Sequence, residues 1–150
     1  MPKCRSLAAA ALSFCLIATG CHPLVVENYL VPQGKTGWFV VIFDQKGSPN
    51  LEKDGSSTIY RFDTNNVLIT SAKLRSGKVQ ANFFYLDDSG NRKRLQEGRV
   101  WAERTFSRRE YGKTDLNGLY FFLGTEAEFR LTQQAEIDAV IESARTKLNQ

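Results

Sequence analysis

Little in this sequence can carry covalent or metal chemistry. Its 150 residues include one histidine, three cysteines and one methionine. The lone His22 would have to leave the N-terminal region and find a distant serine to build a Ser-His-acid triad. One histidine without spare thiolates cannot supply the three or four ligands of a zinc site. Cys4, Cys15 and Cys21 all lie near the N-terminus, so no disulfide framework can staple the rest of the chain. Gly34-Lys35-Thr36 and Gly112-Lys113-Thr114 match the end of a P-loop. The glycine required five residues earlier is replaced by Tyr29 and Ser107, so the phosphate cradle lacks its first hinge. Asp87-Asp88-Ser89-Gly90-Asn91 lacks the alternating spacing and closing glutamate of a calcium loop and reads as a turn. No cofactor is expected.

What is present begins with an export segment. Pro2-Lys3-Cys4-Arg5 is a small basic start, Leu7 to Ile17 an apolar run, and Ala18-Thr19-Gly20 a small-residue stretch leading to Cys21. The apolar run is too short for a permanent membrane span and fits a secretory signal. Ala18-Thr19-Gly20-Cys21 resembles a bacterial lipobox, with Ala18 where leucine is usual; in such a motif the cysteine is lipidated and becomes the new N-terminus. An ordinary signal-peptidase site after Gly20 is the competing reading, and it would release a soluble protein. Both cut before Cys21. Lys3 and Arg5 leave with the signal and no acid does, so the net charge falls from +4 to +2. An exported chain of that charge is not expected to meet nucleic acid.

The expected organisation is a signal over 1–20, a lipidated N-terminus and short tether over 21–28, a β-rich domain over 29–131 and a helix over 132–150. Trp38 to Phe43 is aromatic and β-branched, bracketed by glycine and turn residues. It does not alternate, which predicts a strand buried on both faces. Further strands are expected at Thr58–Phe62, Val67–Thr70, Val79–Leu86, Arg92–Leu95, Val100–Ala102 and Leu119–Leu123. Thr125 and Glu128 form a capping box. Thr132 is placed to cap a final helix whose apolar stripe is Ile137, Val140, Ile141, Ala144 and Leu148. One striped helix and strands apolar on both faces predict a mainly β fold: a β-sandwich or twisted antiparallel sheet with one C-terminal α-helix packed on it.

Tyr29-Leu30-Val31-Pro32-Gln33-Gly34 followed by Gly37-Trp38 resembles an uncharacterised family of bacterial envelope proteins, many of them lipoproteins. Gly47-Ser48-Pro49, Tyr85-x-x-Asp88-x-Gly90, Val100-Trp101 and Tyr120-Phe121-Phe122-Leu123-Gly124-Thr125-Glu126 agree in order, and Lys35-Thr36 departs from the usual pair. The resemblance implies an exported β-rich domain and assigns no catalytic residue.

One stretch stands out by charge. Arg92 to Lys113 holds eight basic residues against three acids, a net +5, interleaved with Trp101, Phe106 and Tyr111. Arg92, Lys93, Arg94, Arg104, Arg108 and Arg109 are the candidate binding surface, for anionic headgroups, an acidic envelope polymer or an acidic protein. The same stretch also fits a solvated hairpin. The leading reading is a non-catalytic binding or assembly module, lipid-anchored through Cys21 in the cell envelope. In a Gram-negative host, His22 after the anchor would place it on the outer membrane, facing the periplasm. A carboxylate-dependent hydrolase of an envelope polymer and a structural accessory subunit are the alternatives. A cleft with two facing acids would point to the hydrolase, and a flat apolar patch to a partner-bound module.

Overall fold

A computed structural model describes residues 24–108 and 115–148. Cys21, Arg109 and Lys113 lie outside the described residues. The element order is β1 (Val25–Pro32), β2 (Gly37–Phe43), β3 (Glu52–Asp54), β4 (Ser57–Arg61), β5 (Val67–Ile69), β6 (Val79–Leu86), β7 (Arg92–Arg94), β8 (Val100–Arg108), β9 (Leu116–Leu123), α1 (Glu126–Leu131) and α2 (Gln134–Leu148). The strands form two sheets, ordered β3-β4-β1-β6-β7 and β5-β2-β9-β8. Both are mixed: β1 runs parallel to β4 and β6, and β2 parallel to β5. The sandwich form of the expected fold is therefore the one adopted, with its C-terminal helix in place.

Side-chain alternation builds the layers. Tyr29 and Val31 of β1, Phe39, Val41 and Phe43 of β2, Tyr60 of β4, and Leu119, Phe121 and Leu123 of β9 point between the sheets and form the main core with Phe62. Their rings interlock: Tyr29 stacks on Tyr60 at 4.5 Å and on Phe83 at 4.7 Å, and Phe39 stacks on Phe121 at 5.3 Å. Each such pair adds about 0.5–1.5 kcal/mol beyond burial. The alternate residues Val40, Ile42, Val67 and Leu116 face outward and are covered by Ile137, Ile141 and Ala144 of α2. β2 is thus buried on both faces, as its unbroken apolar run requires. Phe129 of α1 covers the far end of that outer face, against Trp38, Trp101 and Phe122.

Three details differ from the sequence expectation. β1 begins at Val25, so Val25 to Asn28 belong to the central strand of the first sheet rather than to a tether; their hydrogen-bonded pairing with β6 holds them. β8 runs to Arg108 because its later half pairs with β9. The expected Thr125–Glu128 capping box does open a short helix, α1. Thr132 closes α1 by bonding back to the Phe129 carbonyl, instead of opening α2.

Among the described residues no helix covers the outer face of the first sheet, yet Leu30 and Ile59 there are 0% and 2% exposed. A flat five-stranded sheet would hold its edges about 19 Å apart, but Arg92 of β7 bonds Asp54 of β3 at 2.9 Å. The sheet is therefore coiled, its outer face concave. Arg61 clasps Glu52 through both carboxylate oxygens, and Arg94 donates to Asn82, which donates to Asn28. This polar layer roofs Leu30 and Ile59. Both edge strands, Glu-Lys-Asp and Arg-Lys-Arg, are three residues long and fully charged, which discourages pairing with another sheet.

Candidate functional site

The two sheets part at the end where β1 and β6 begin, and a cleft of about 170 Å3 opens there. Its lining includes Glu27, Tyr29, Tyr60, Arg75, Glu103 and Thr105. Glu27 points inward because it shares the parity of Tyr29 and Val31 on β1. It is 5% exposed. Such burial of a carboxylate is tolerable only with strong hydrogen bonds, and Glu27 has two: the Tyr29 hydroxyl donates to Oε2 at 2.7 Å, the Tyr60 hydroxyl to Oε1 at 2.9 Å. Burial, and then the charge of Glu27, push both phenols far above the ordinary tyrosine range. They stay protonated donors at any physiological pH.

Glu103 reaches the same cleft by a different route. Between Trp101, opposite Phe122, and Arg104, opposite Tyr120, β8 carries one residue more than β9. Ala102 takes φ 51° at this bulge. That left-handed conformation costs an alanine about 1–2 kcal/mol, and bulges commonly re-aim a side chain. Strict alternation from Val100 would put Glu103 outside; the extra residue turns it inward beside Glu27. Burial against the cleft wall, then the negative charge of Glu27, raise its carboxyl above the ordinary glutamate range. Arg75, on the loop before β6, supplies a cation at the mouth. Two carboxylates, two fixed phenol donors and one guanidinium can bind a small charged group or exchange a proton at Glu103. Among the described residues no three His, Cys, Asp or Glu side chains gather as a metal cage.

The described candidate basic residues divide between the two sheets. Arg92, Lys93 and Arg94 sit on β7 of the first sheet, Arg104 and Arg108 on β8 of the second. Arg92 is bound to Asp54 and Arg94 to Asn82. Arg108 forks onto α2, reaching Asp138 at 2.6 Å and Glu142 at 3.3 Å. Lys93 and Arg104 are exposed. Lys93, Arg94 and Arg99 do line one shallow depression of about 260 Å3 with Tyr85, Leu95 and Gln96. Trp101 is half-buried, stacked on Phe129, and donates to the Gly124 carbonyl at 3.1 Å.

Residues 25–129 match the model of DUF6843, a family of unknown function. The chain belongs to that family. A solved structure of a Bacillus anthracis protein, described as a candidate lipoprotein, superposes with a TM-score of 0.70 at 18% identity, covering 81% of this chain and 92% of that one. That likeness shows that the family's sandwich is shared with the Bacillus protein. No curated protein matches the chain.

Proposed function

We propose that the chain is an envelope lipoprotein, anchored through Cys21, whose sandwich is a non-catalytic binding module for a small cationic group. One observation carries the binding reading: Glu27 and Glu103 line a single cleft, where burial first and the charge of Glu27 second raise the Glu103 carboxyl, and a cation entering between the two acids relieves both. The paired carboxylates suit an amine or quaternary ammonium. The fold shared with the Bacillus protein and the Ala18-Thr19-Gly20-Cys21 motif support the anchor. In a host with two membranes, His22 would direct it to the outer one. Arg99, Lys93 and Arg94 remain the place for an acidic protein or polymer.

Two measurements test this. Mass spectrometry of the N-terminal peptide should find an acyl group on Cys21; an unmodified peptide ends the anchored reading. Titration of the labelled protein with choline or ethylamine, against neutral ethylene glycol, should shift amides near Glu103 and Arg75. Those shifts should vanish in Glu103→Gln, and identical responses to all three probes would end the cation reading.

A second reading is a carboxylate hydrolase, favoured by the contrast between a buried, doubly bonded Glu27 and a solvent-exposed Glu103 whose carboxyl is raised above the ordinary glutamate range. The cleft is small for a polymer, and both Glu27 oxygens are already engaged. Release of reducing sugar from envelope polysaccharide, lost in Glu103→Gln, would establish it.

A further inference from the structure

The end of the sandwich where the chain enters carries a second, unassigned feature. The loop joining β5 to β6 presents Lys73, Arg75 and Lys78, all exposed. No acid occurs anywhere from Thr64 to Leu86. Val79, next to Lys78, is paired with Val25, the first residue of β1. Val79 is 39% exposed and Leu24 is 56% exposed; they are two of the three exposed large hydrophobics among the described residues, and the third, Leu131, lies on α1 at the opposite end. Apolar side chains flanked by exposed cations that form no ion pair among the described residues, at one corner, have the composition of a bilayer-docking surface.

Chain length decides what covers it. From Cys21 to Val25 the backbone spans at most about 14 Å. An acyl chain on Cys21 would hold this corner within roughly two screening lengths of the headgroups. No other surface of the domain is so constrained.

We propose that Leu24, Val79, Lys73, Arg75 and Lys78 form a docking face for an anionic bilayer, the one in which Cys21 is anchored. The face fixes the domain's orientation. Because Arg75 and Val79 also line the Glu27–Glu103 cleft, the docked domain turns that cleft toward the headgroup layer. Among the described residues, the competing acids at this end are Glu27 and Glu103 in the cleft, Asp54 paired to Arg92, Asp138 and Glu142 bound to Arg108, and Asp44 and Asp115 on other loops; none lies on the β5–β6 connection. The proposal rests on the anchored reading, so its test must fail separately from it.

Val79→Cys, in the processed protein, is labelled with a polarity-sensitive fluorophore. Lipidated Cys21 takes no label, so one label per chain confirms the anchor and two refute it, independently of docking. In vesicles of phosphatidylcholine mixed with phosphatidylglycerol, the emission should shift to the blue, and the shift should fade as salt is raised. In phosphatidylcholine alone it should be absent. Lys73→Glu, Arg75→Glu and Lys78→Glu together should reduce docking about a hundredfold, since each cation near an anionic membrane contributes about fivefold. Lys35→Glu, Lys93→Glu and Arg104→Glu together, an equal change of net charge elsewhere, should leave it intact. A Leu24→Cys label should behave identically, and it lies outside every strand, so a folding defect at Val79 would not mask the result. Equal shifts in neutral and anionic vesicles, equal loss in both triple variants, or tighter capture by a soluble polyanion than by vesicles would overturn the proposal.

Discussion

Replacing Glu27 with glutamine changes one atom and tests the whole account of the cleft. The carboxylate accepts two hydroxyl bonds, at 2.7 and 2.9 Å. Bonds to a charged acceptor contribute about 1.5–3 kcal/mol each, neutral ones about 0.5–1.5. Glutamine can keep one acceptor and offer its amide to the other tyrosine, so two charged bonds become two neutral ones. The gross loss is about 2–3 kcal/mol. Removing a buried charge that repels Glu103 returns part of this, leaving a net destabilisation of about 1–3 kcal/mol. At this domain size each kcal/mol moves Tm by roughly 3–5 °C, and calorimetry resolves that. The pH profile supplies the second arm. Glu103 has a raised folded pKa, from burial first and Glu27 second. Well below its ordinary value it is protonated in both states and costs nothing. As pH rises from the ordinary value through the folded one, the unfolded chain gives up its proton first, and stability is lost. Glu27→Gln should make that step smaller, and Glu103→Gln should abolish it. A Glu27→Gln protein as stable as wild type, with an unchanged step, would refute both the hydrogen-bond accounting and the coupling of the two acids.

Three further outcomes are expected. Ile141→Asp should cost about 2–4 kcal/mol by chemical denaturation, because it buries a charge at a position 2% exposed under α2. Gly118→Ala should cost about 1–3 kcal/mol, because a β-carbon there would stand 2.4 Å from the Phe106 ring and 2.6 Å from the Val41 carbonyl; adding Phe106→Ala should recover only the ring's share. Arg108→Ala should lower Tm modestly at neutral pH and hardly at all in acid: Arg108 holds the Asp138 carboxyl below its usual range, so this stabilisation exists above the ordinary aspartate value and disappears as pH falls through the lowered one.

The apolar scaffold was legible because burial leaves a periodic record. Trp38 to Phe43 could only be a strand covered on both sides, and the Ile137–Ile141–Ala144 stripe could only be a helix facing a sheet. The basic stretch was legible as composition but not as geometry. Its members divide between strands of different sheets, and Arg92 finds its partner in Asp54, 38 residues away, only because the first sheet coils. Glu27 was half legible: it alternates with Tyr29 and Val31, but the apolar neighbours on both parities and the expected lipid attachment at Cys21 made Val25 to Asn28 read as tether. Glu103 was hidden by the alternation rule itself. Counting by twos from Val100 sends Ala102 and Arg104 inward and Glu103 out. No glycine marks the break, because Ala102 accepts a left-handed backbone that glycine would take without strain. The residue that completes the cleft is thus the one for which local preference and tertiary pairing disagree. Strain retained where an easy substitution would remove it is a reason to look for function. Ala102→Gly should relax that backbone while leaving Glu103 in place, and deleting Ala102 should remove the bulge yet keep Glu103 inward, because Glu103 then takes the position opposite Phe121, between the outward-facing Trp101 and Arg104.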